Sequence, residues 1–114
     1  FGGYSTHITV SQNAVYPLPK AWNFNEGAGF IAQGMTAYYA LIELGNLKND
    51  QTILIHSAAG GVGILANRIA KKFNAYTIGT VGDSQKNEFL KMEKYNSIIL
   101  RDNSFKENLH KVLD

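Results

Sequence analysis

The sequence predicts an α/β fold built on a parallel sheet, and three observations lead to this prediction. From residue 52 onward, β-rich segments alternate with amphipathic helical segments in the order β-α-β-α-β-α. The first of these segments, residues 52–56, is apolar without alternation, which is typical of a parallel strand buried on both faces. Gly60, Gly61 and Gly63 follow it directly. Strands that alternate with helices are expected to join through right-handed crossovers.

Two extended segments are expected near the start of the chain. Residues 4–11 alternate, with Ile8 and Val10 on one side, and this pattern predicts a strand. Residues 15–19 contain two prolines, and each proline fixes its own φ and disfavours helical backbone in the residue before it. We therefore expect this part of the chain to be β-rich.

Two helices are expected between these segments and the first strand of the sheet. Asn25 has a side chain suited to a helix N-cap, and it predicts a short helix that starts there. A second helix is predicted over residues 36–44, with Gly45 as its C-cap.

The elements after the glycines follow from apolar periodicity and capping residues. Apolar side chains recur on one helical face from residue 64 to 73. Serine side chains are expected to cap the two later helices. The predicted elements are a helix over residues 64–73, a strand over 76–81, a helix from Ser84 to about residue 95, a strand over 97–100 and a helix after Ser104.

Composition restricts the class of protein. The 114 residues suit one domain, and 45% hydrophobic with 18% charged residues is typical of a globular chain, not a disordered one. A net charge of +2 is too small to predict binding to nucleic acid or to a membrane surface. The absence of cysteine excludes a disulfide scaffold and a thiolate zinc site within these residues, and it fits a cytoplasmic location. No apolar run reaches the ~20 residues of a membrane span.

The segment after the first strand has the pattern of an anion-binding loop. A parallel strand that leads into a helix directs unpaired N–H groups of the first helical turn toward the carboxyl edge of the sheet, where a phosphate can accept from them. Gly60 and Gly61 would let a phosphate approach the backbone, and Gly63 would let the helix pack against the strand. Ala58 stands where the dinucleotide fingerprint usually has its first glycine, so this position must not require a positive φ. The residues expected to hold the pyrophosphate of a nicotinamide dinucleotide are Ala58, Ala59, Gly60, Gly61, Val62 and Gly63.

A glycine-rich loop between a strand and a helix has two other interpretations, of which one stays open. A glycine-rich turn between a strand and a helix can serve packing alone and bind no ligand. A P-loop is excluded, because no Lys followed by Ser or Thr comes after the glycines.

Four stretches of the chain, taken in order, resemble one family. They are residues 3–7 (GYSTH) with 17–19 (PLP), residues 33–39 (QGMTAYY), residues 53–63 (ILIHSAAGGVG), and residues 80–82 (TVG) with Lys86. The chain resembles the medium-chain dehydrogenase/reductases, in particular their zinc-free quinone oxidoreductase branch. That branch includes the zeta-crystallins and the enoyl reductase domains of polyketide synthases.

The resemblance implies the first half of a Rossmann dinucleotide-binding domain over residues 33–114, preceded by a β-rich remnant of a GroES-like domain over residues 1–32. It also implies that the chain is part of a longer protein and is inactive in isolation. The implied activity is that of an NADPH-dependent oxidoreductase that reduces a quinone or an α,β-unsaturated carbonyl, with a small-molecule substrate. A homodimer is a possible assembly of the full-length protein.

Two alternatives to this function stay open on the sequence alone. The chain could bind nucleotide without catalysis, as a structural or regulatory protein. It could also be an enoyl reductase module inside a polyketide or fatty-acid synthase.

Three polar residues outside the loop receive a role. The resemblance places Thr36 near the nicotinamide and its phosphate. Gln33 stands where zinc-dependent alcohol dehydrogenases have a cysteine ligand, so the branch is expected to use no metal. His56 lies at a strand end beside the glycines, and we expect it to be structural rather than a proton donor. No catalytic residue is assigned within the chain.

The choice of cofactor depends on the end of the second strand. NAD-binding proteins place Asp or Glu there, about 20 residues beyond the glycines, to accept from the ribose 2′-OH. Gly82 occupies this stretch, which leaves room for a 2′-phosphate and predicts NADP (NADPH). Two residues depart from the family pattern. Asp83 places a negative charge beside the expected phosphate site, and Leu100 stands where many relatives have a tyrosine near the adenosine. The residues expected to serve the 2′-phosphate are Gly82, Ser84, Lys86 and Arg101.

Overall fold

A computed structural model describes residues 2–114. Phe1, which is the first residue of the expected GroES-like remnant, lies outside the described residues. The helices are α1 (Phe24–Tyr38), which continues as a π-helical segment (Tyr39–Leu44), α2 (Gly61–Lys72), α3 (Asn87–Met92) and α4 (Phe105–Leu113). The strands are β1 (Thr52–Ile55), β2 (Tyr76–Val81) and β3 (Ser97–Leu100). Short 3-10 turns cover Gln12–Ala14 and Ser84–Lys86.

The three strands form a parallel sheet in the order β1-β2-β3, which confirms the predicted α/β fold. Leu54 of β1 lies opposite Ile78 of β2, and Thr80 of β2 lies opposite Ile99 of β3. The central strand β2 is buried from its second residue to its last, because it is paired on both edges. The carboxyl ends of all three strands therefore meet at one edge.

The expectation that β1 is buried on both faces is wrong. Ile55 is buried and Ile53 packs on the core, whereas Leu54 between them is 38% exposed. Successive strand residues point to opposite faces, so only one face of β1 is covered. The covering residues include Ala37 of α1 and Ala66 of α2.

The predicted strand over residues 4–11 does not form. In the structure this segment is irregular, and Ile8 and Val10 are 60% and 51% exposed. An alternating pattern makes a strand only where a neighbouring strand supplies hydrogen bonds, and the sheet here begins at β1. Val15, the first residue of the segment predicted to be extended, does have extended backbone (φ −113°, ψ 131°).

One continuous helix replaces the two helices predicted before β1. Asn23, not Asn25, is its N-cap: the Asn23 side chain accepts from the Glu26 N–H at 2.9 Å, and the Glu26 carboxylate accepts from the Asn23 N–H at 2.8 Å. The helix runs unbroken through the expected boundary between residues 32 and 33 and on to Leu44.

The end of this helix is at the predicted place. Gly45 is the C-cap, and its N–H donates to the Ala40 carbonyl at 2.9 Å. The left-handed residue that turns the chain is the next one, Asn46 (φ 46°). Leu47 then returns to the core, where it is buried.

The segment after β2 also differs in detail. Asp83, not Ser84, caps it, because the Asp83 carboxylate accepts from the Gln85 N–H at 2.9 Å. A 3-10 turn precedes α3, and α3 ends at Met92 instead of near residue 95, because Lys94 takes a left-handed conformation (φ 61°). The strands over 76–81 and 97–100 have the predicted bounds.

Candidate dinucleotide-binding site

The loop that joins β1 to α2 makes its tight turn at Ser57. This residue has φ 52°, and its carbonyl accepts from the Gly60 N–H at 2.8 Å. Ala58 is not among the positive-φ residues, so an alanine fits this position without backbone strain, as the sequence prediction required. The Ala58 N–H donates to the Thr80 carbonyl at 3.0 Å, which ties the loop to β2. Sequence inspection missed Ser57, because serine carries no signal for a left-handed turn.

Gly63 permits the contact between α2 and the loop, as predicted. A Cβ on Gly63 would lie 2.8 Å from the Ser57 carbonyl oxygen and 2.9 Å from the Ala58 Cα. These neighbours are backbone atoms and cannot move aside. The first turn of α2 therefore sits directly on the strand exit.

Gly60 and Gly61 differ in what lies around them. A Cβ on Gly60 would meet only the Ser57 carbonyl oxygen, at 3.2 Å. A Cβ on Gly61 would overlap the side-chain amide of Gln33 from α1. Gly60 is thus the glycine whose outer side is open, while Gly61 makes room for Gln33.

A cavity of about 290 Å³ lies at the carboxyl edge of the sheet, in front of this loop. Three connections contribute to it: the loop after β1, the exit of β2, and the residue that follows β3. The lining residues are Ser57, Ala59, Gly60, Val81, Gly82, Lys86 and Arg101. The cavity brings together five residues that the sequence singles out for the cofactor: Ala59, Gly60, Gly82, Lys86 and Arg101.

The charge of this cavity is positive. Lys86 and Arg101 both line it, and the side chains described there include no carboxylate. The Arg101 N–H donates to the Val81 carbonyl at 2.7 Å, which fixes the exit of β3 beside the exit of β2. Asp83, the departure that stood beside the expected phosphate site, is turned toward the Gln85 N–H and does not line the cavity.

Comparison with known proteins gives the family. No family model matches the chain. The chain is 36% identical to quinone oxidoreductase 1 of Escherichia coli (strain K12) over 112 residues, which cover 97% of this chain and 34% of that protein. It is 38% identical to the reducing polyketide synthase rads1 of Floropilus chiversii over 94 residues, which cover 82% of this chain and 4% of that protein.

Two solved structures agree with these relatives. Escherichia coli quinone oxidoreductase complexed with NADPH superposes with a TM-score of 0.78 at 36% identity, over 84% of this chain and 30% of that one. The CurK enoyl reductase superposes with a TM-score of 0.86 at 34% identity, over 93% of this chain and 32% of that one. The chain belongs to the medium-chain dehydrogenase/reductases. It spans about a third of the length of the quinone oxidoreductase and a few per cent of the polyketide synthase.

Not every residue assigned from the family pattern lines the cavity of this dehydrogenase/reductase chain. Thr36 lies within α1, and its hydroxyl donates to the Ala32 carbonyl at 2.7 Å, a local helical bond. The loop and helix residues Ala58, Gly61, Val62 and Gly63, together with Ser84, lie outside the lining. Ala58 is fully buried. The roles of these residues toward a cofactor stay predictions.

The His56 ring contacts two neighbouring elements, and its expected structural role stays a prediction. Its Nδ1 lies 3.0 Å from the Thr80 hydroxyl oxygen, and its ring centroid lies 6.0 Å from that of Phe105. His56, which follows β1, thus contacts a residue of β2 and a residue of α4. Across the described part of the chain, His, Asp and Glu side chains nowhere gather in a group of three that could hold a metal ion.

Tyr95 supports the loop on the side away from the cavity, and no pattern in the sequence indicates this contact. The Tyr95 side chain is buried, and its hydroxyl lies 2.8 Å from the Gly63 carbonyl oxygen and 3.2 Å from that of Ala58. Burial raises the pKa of Tyr95, and the nearby charge of Glu93 adds to the rise. The hydroxyl therefore stays protonated and donates a hydrogen bond at every physiological pH.

A larger cavity of about 530 Å³ lies between α1, α2 and α3. Trp22, Phe30 and Phe89 supply aromatic walls, and Arg68 and Glu93 lie at its edge. The Arg68 guanidinium donates to both Glu93 carboxylate oxygens, at 2.9 and 2.6 Å. Its charge is thus already paired, which makes this cavity a poorer phosphate site than the one that holds Lys86 and Arg101.

Proposed function

We propose that this chain binds the adenosine and phosphate end of NADPH and is part of an NADPH-dependent oxidoreductase that reduces a quinone or an α,β-unsaturated carbonyl. The observation that carries the proposal is the cavity at the carboxyl edge of the sheet, where an open glycine backbone and two cations face one space. The relatives of this chain include quinone oxidoreductases, and one superposed relative was solved in complex with NADPH.

The loop supplies the site for the pyrophosphate in this proposal. Gly60 has an open outer side, and α2 begins at the next residue with unpaired N–H groups. Those groups and the positive end of the helix dipole favour a phosphate at this position. Val62, Gly61 and Gly63 belong to the same helical turn and would contribute backbone alone.

Lys86 and Arg101 supply the site for the 2′-phosphate. They reach the cavity from different connections, so a dianion between them would receive charge-assisted hydrogen bonds from two sides. Gly82 leaves the space that a carboxylate would fill in an NAD-specific protein. Ser84 lies in the turn that carries Lys86 and could add a hydroxyl.

Hydride transfer is supplied by the nicotinamide cofactor, and the protein binds and orients it. Thr36 is proposed to lie near the nicotinamide end, and the proposal requires no metal. A homodimer, a cytoplasmic location and the division into residues 1–32 and 33–114 complete the proposal. Within residues 2–114, no helix is both long and apolar enough to cross a membrane.

A second candidate function has its own support. The polyketide synthase relatives favour an enoyl reductase module, because the matched segment is a few per cent of a much longer protein. The two candidates share a cofactor and a type of reaction and differ in what surrounds the reductase. A nucleotide-binding protein without catalysis is the third possibility.

The cofactor proposal predicts a specific effect of Lys86→Ala. The Kd for NADPH should rise about tenfold, because one of two cations on the 2′-phosphate is lost, while the Kd for NADH should stay unchanged. Isothermal titration calorimetry of both cofactors measures this. Lys72→Ala, at the far end of α2, is the matched control and should change neither Kd. Equal affinity for the two cofactors, unaffected by Lys86→Ala, would overturn the preference for NADPH.

A further inference from the structure

We propose that the Tyr95 hydroxyl is a positioning group that holds the glycine loop in the conformation that binds the cofactor pyrophosphate. The proposal rests on the proposed function. Tyr95 itself lies behind the loop, is 7% exposed and does not line the cavity. It can therefore act on a bound cofactor only through the backbone that it contacts.

The two acceptors of the hydroxyl lie on either side of the open glycine. The Gly63 carbonyl, at 2.8 Å, belongs to the first turn of α2, and the Ala58 carbonyl, at 3.2 Å, belongs to the loop. One O–H group thus fixes the start of the helix and the loop to the same point. The N–H groups proposed to face the pyrophosphate lie between these two carbonyls along the chain.

Two backbone hydrogen bonds also hold the loop. The Ala58 N–H donates to the Thr80 carbonyl at 3.0 Å, and the Gly60 N–H donates within the loop to Ser57. The Ser57 conformation is left-handed, which is unfavourable for a residue with a Cβ. A loop that contains such a residue needs support from its surroundings to keep one conformation.

The ring of Tyr95 packs against β2 at Gly79, where the absence of a side chain leaves space for it. A Cβ on Gly79 would lie 2.7 Å from the Tyr95 Cδ1 and 3.0 Å from the Ala58 Cβ. Glycine weakens the interior of a strand, so its presence in the central strand calls for a packing reason. Gly79 admits the Tyr95 ring under Ala58, which places the hydroxyl at the two carbonyls.

Tyr95→Phe tests the proposal, because it keeps the ring packed against Gly79 and removes only the hydroxyl. The Kd for NADPH should rise about threefold to tenfold, as expected when one buried hydrogen bond that orders a site is lost. Adenosine 2′-monophosphate carries the 2′-phosphate but no pyrophosphate, so its Kd should change by less than about twofold. Calorimetry on the same protein preparation measures both ligands.

Tyr76→Phe is the matched control. The Tyr76 hydroxyl lies 2.8 Å from the Ser97 hydroxyl oxygen at the opposite end of β2, away from the loop. Its loss should leave both Kd values unchanged. Hydrogen exchange of the ligand-free proteins gives a second measurement: amides of residues 58–63 should exchange faster in Tyr95→Phe, while those of β2 keep their rates.

Each remaining outcome contradicts a particular claim. NADPH binding by Tyr95→Phe that matches the wild type, or equal weakening for both ligands, would overturn the positioning role. Loss of the fold in Tyr95→Phe would overturn it as well, because the hydroxyl would then stabilise the whole domain. A wild-type protein that binds adenosine 2′-monophosphate and NADPH with no preference for the dinucleotide would instead contradict the proposed pyrophosphate site.

Discussion

Gly61 and Gly63 lie two residues apart in α2, and the structure gives them different tasks. The space beside Gly63 is limited by the backbone of Ser57 and Ala58, which cannot give way. The space beside Gly61 is taken by the amide of Gln33, the end of a flexible side chain. Substitution at the two glycines should therefore have different consequences.

A double-mutant cycle separates these tasks. Gly61→Ala should lower the free energy of unfolding by about 1 kcal/mol, because Gln33 must leave its place, and this loss should vanish within about 0.5 kcal/mol when Gln33→Ala is also present. Gly63→Ala should cost about 1–3 kcal/mol in either background. Urea denaturation of the single and double variants measures these values. A loss at Gly61 that persists without the Gln33 amide would show that backbone, not Gln33, limits this position.

The sequence singled out five residues that line the candidate cavity, but it did not predict the contacts that surround them. Glycine spacing after an apolar run is a local pattern, so the loop and the opposing Lys86 could be found without a structure. Tyr95 lies 37 residues beyond Ala58, and no local pattern joins them. The partner of Gln33 was missed for the same reason: α1 and α2 meet only through tertiary packing.

Helix capping decides where α1 begins. Two asparagines, Asn23 and Asn25, lie near the start of the helix, and the sequence prediction favoured Asn25 as the cap. The residue three positions after the cap decides between them, since Glu26 completes a reciprocal pair of hydrogen bonds with Asn23. The signal was thus present in the sequence as Asn23-x-x-Glu26.

Asn23→Ala should lower the free energy of unfolding by about 1 kcal/mol, because the Glu26 N–H loses its acceptor. Asn25→Ala is the matched control and should be neutral or slightly stabilising, since alanine is the better helix former. Thermal and urea denaturation of the two variants measure the difference. A larger loss for Asn25→Ala than for Asn23→Ala would contradict the observed start of α1.

Strands were predicted correctly where the sheet supplies partners and wrongly where it does not. β2 and β3 have their predicted bounds because both lie in the parallel sheet. Residues 4–11 have the same kind of local pattern, yet they have no strand beside them in the structure. Pairing is a long-range property, so apolar alternation alone does not establish a strand.

At the scale of the whole molecule, binding and catalysis are separate questions. The chain spans about a third of the length of the quinone oxidoreductase that it resembles, so the cofactor site and the complete reductase need not coincide. The proposed activity belongs to the protein as a whole, whereas the cavity belongs to the residues described here.

The oxidoreductase proposal predicts that the protein consumes NADPH when a quinone or an enone is added. Oxidation of NADPH removes the absorbance of the reduced nicotinamide, so spectrophotometry across a set of quinones and α,β-unsaturated carbonyls measures the reaction. NADH should support a slower reaction at equal concentration, because it lacks the phosphate that Lys86 and Arg101 would bind. Tight NADPH binding without turnover on any acceptor would instead favour the nucleotide-binding protein without catalysis.

The two cations at the carboxyl edge also have a consequence for the protein before any cofactor arrives. Lys86 and Arg101 share one cavity, so their like charges repel each other until an anion enters. Inorganic phosphate or sulfate also carries negative charge, so each is expected to offset that repulsion and to compete with a nucleotide for the same place. Added salt also screens the attraction between the cavity and its ligand. The apparent affinity for NADPH is therefore expected to fall as the concentration of phosphate, sulfate or salt in the buffer rises.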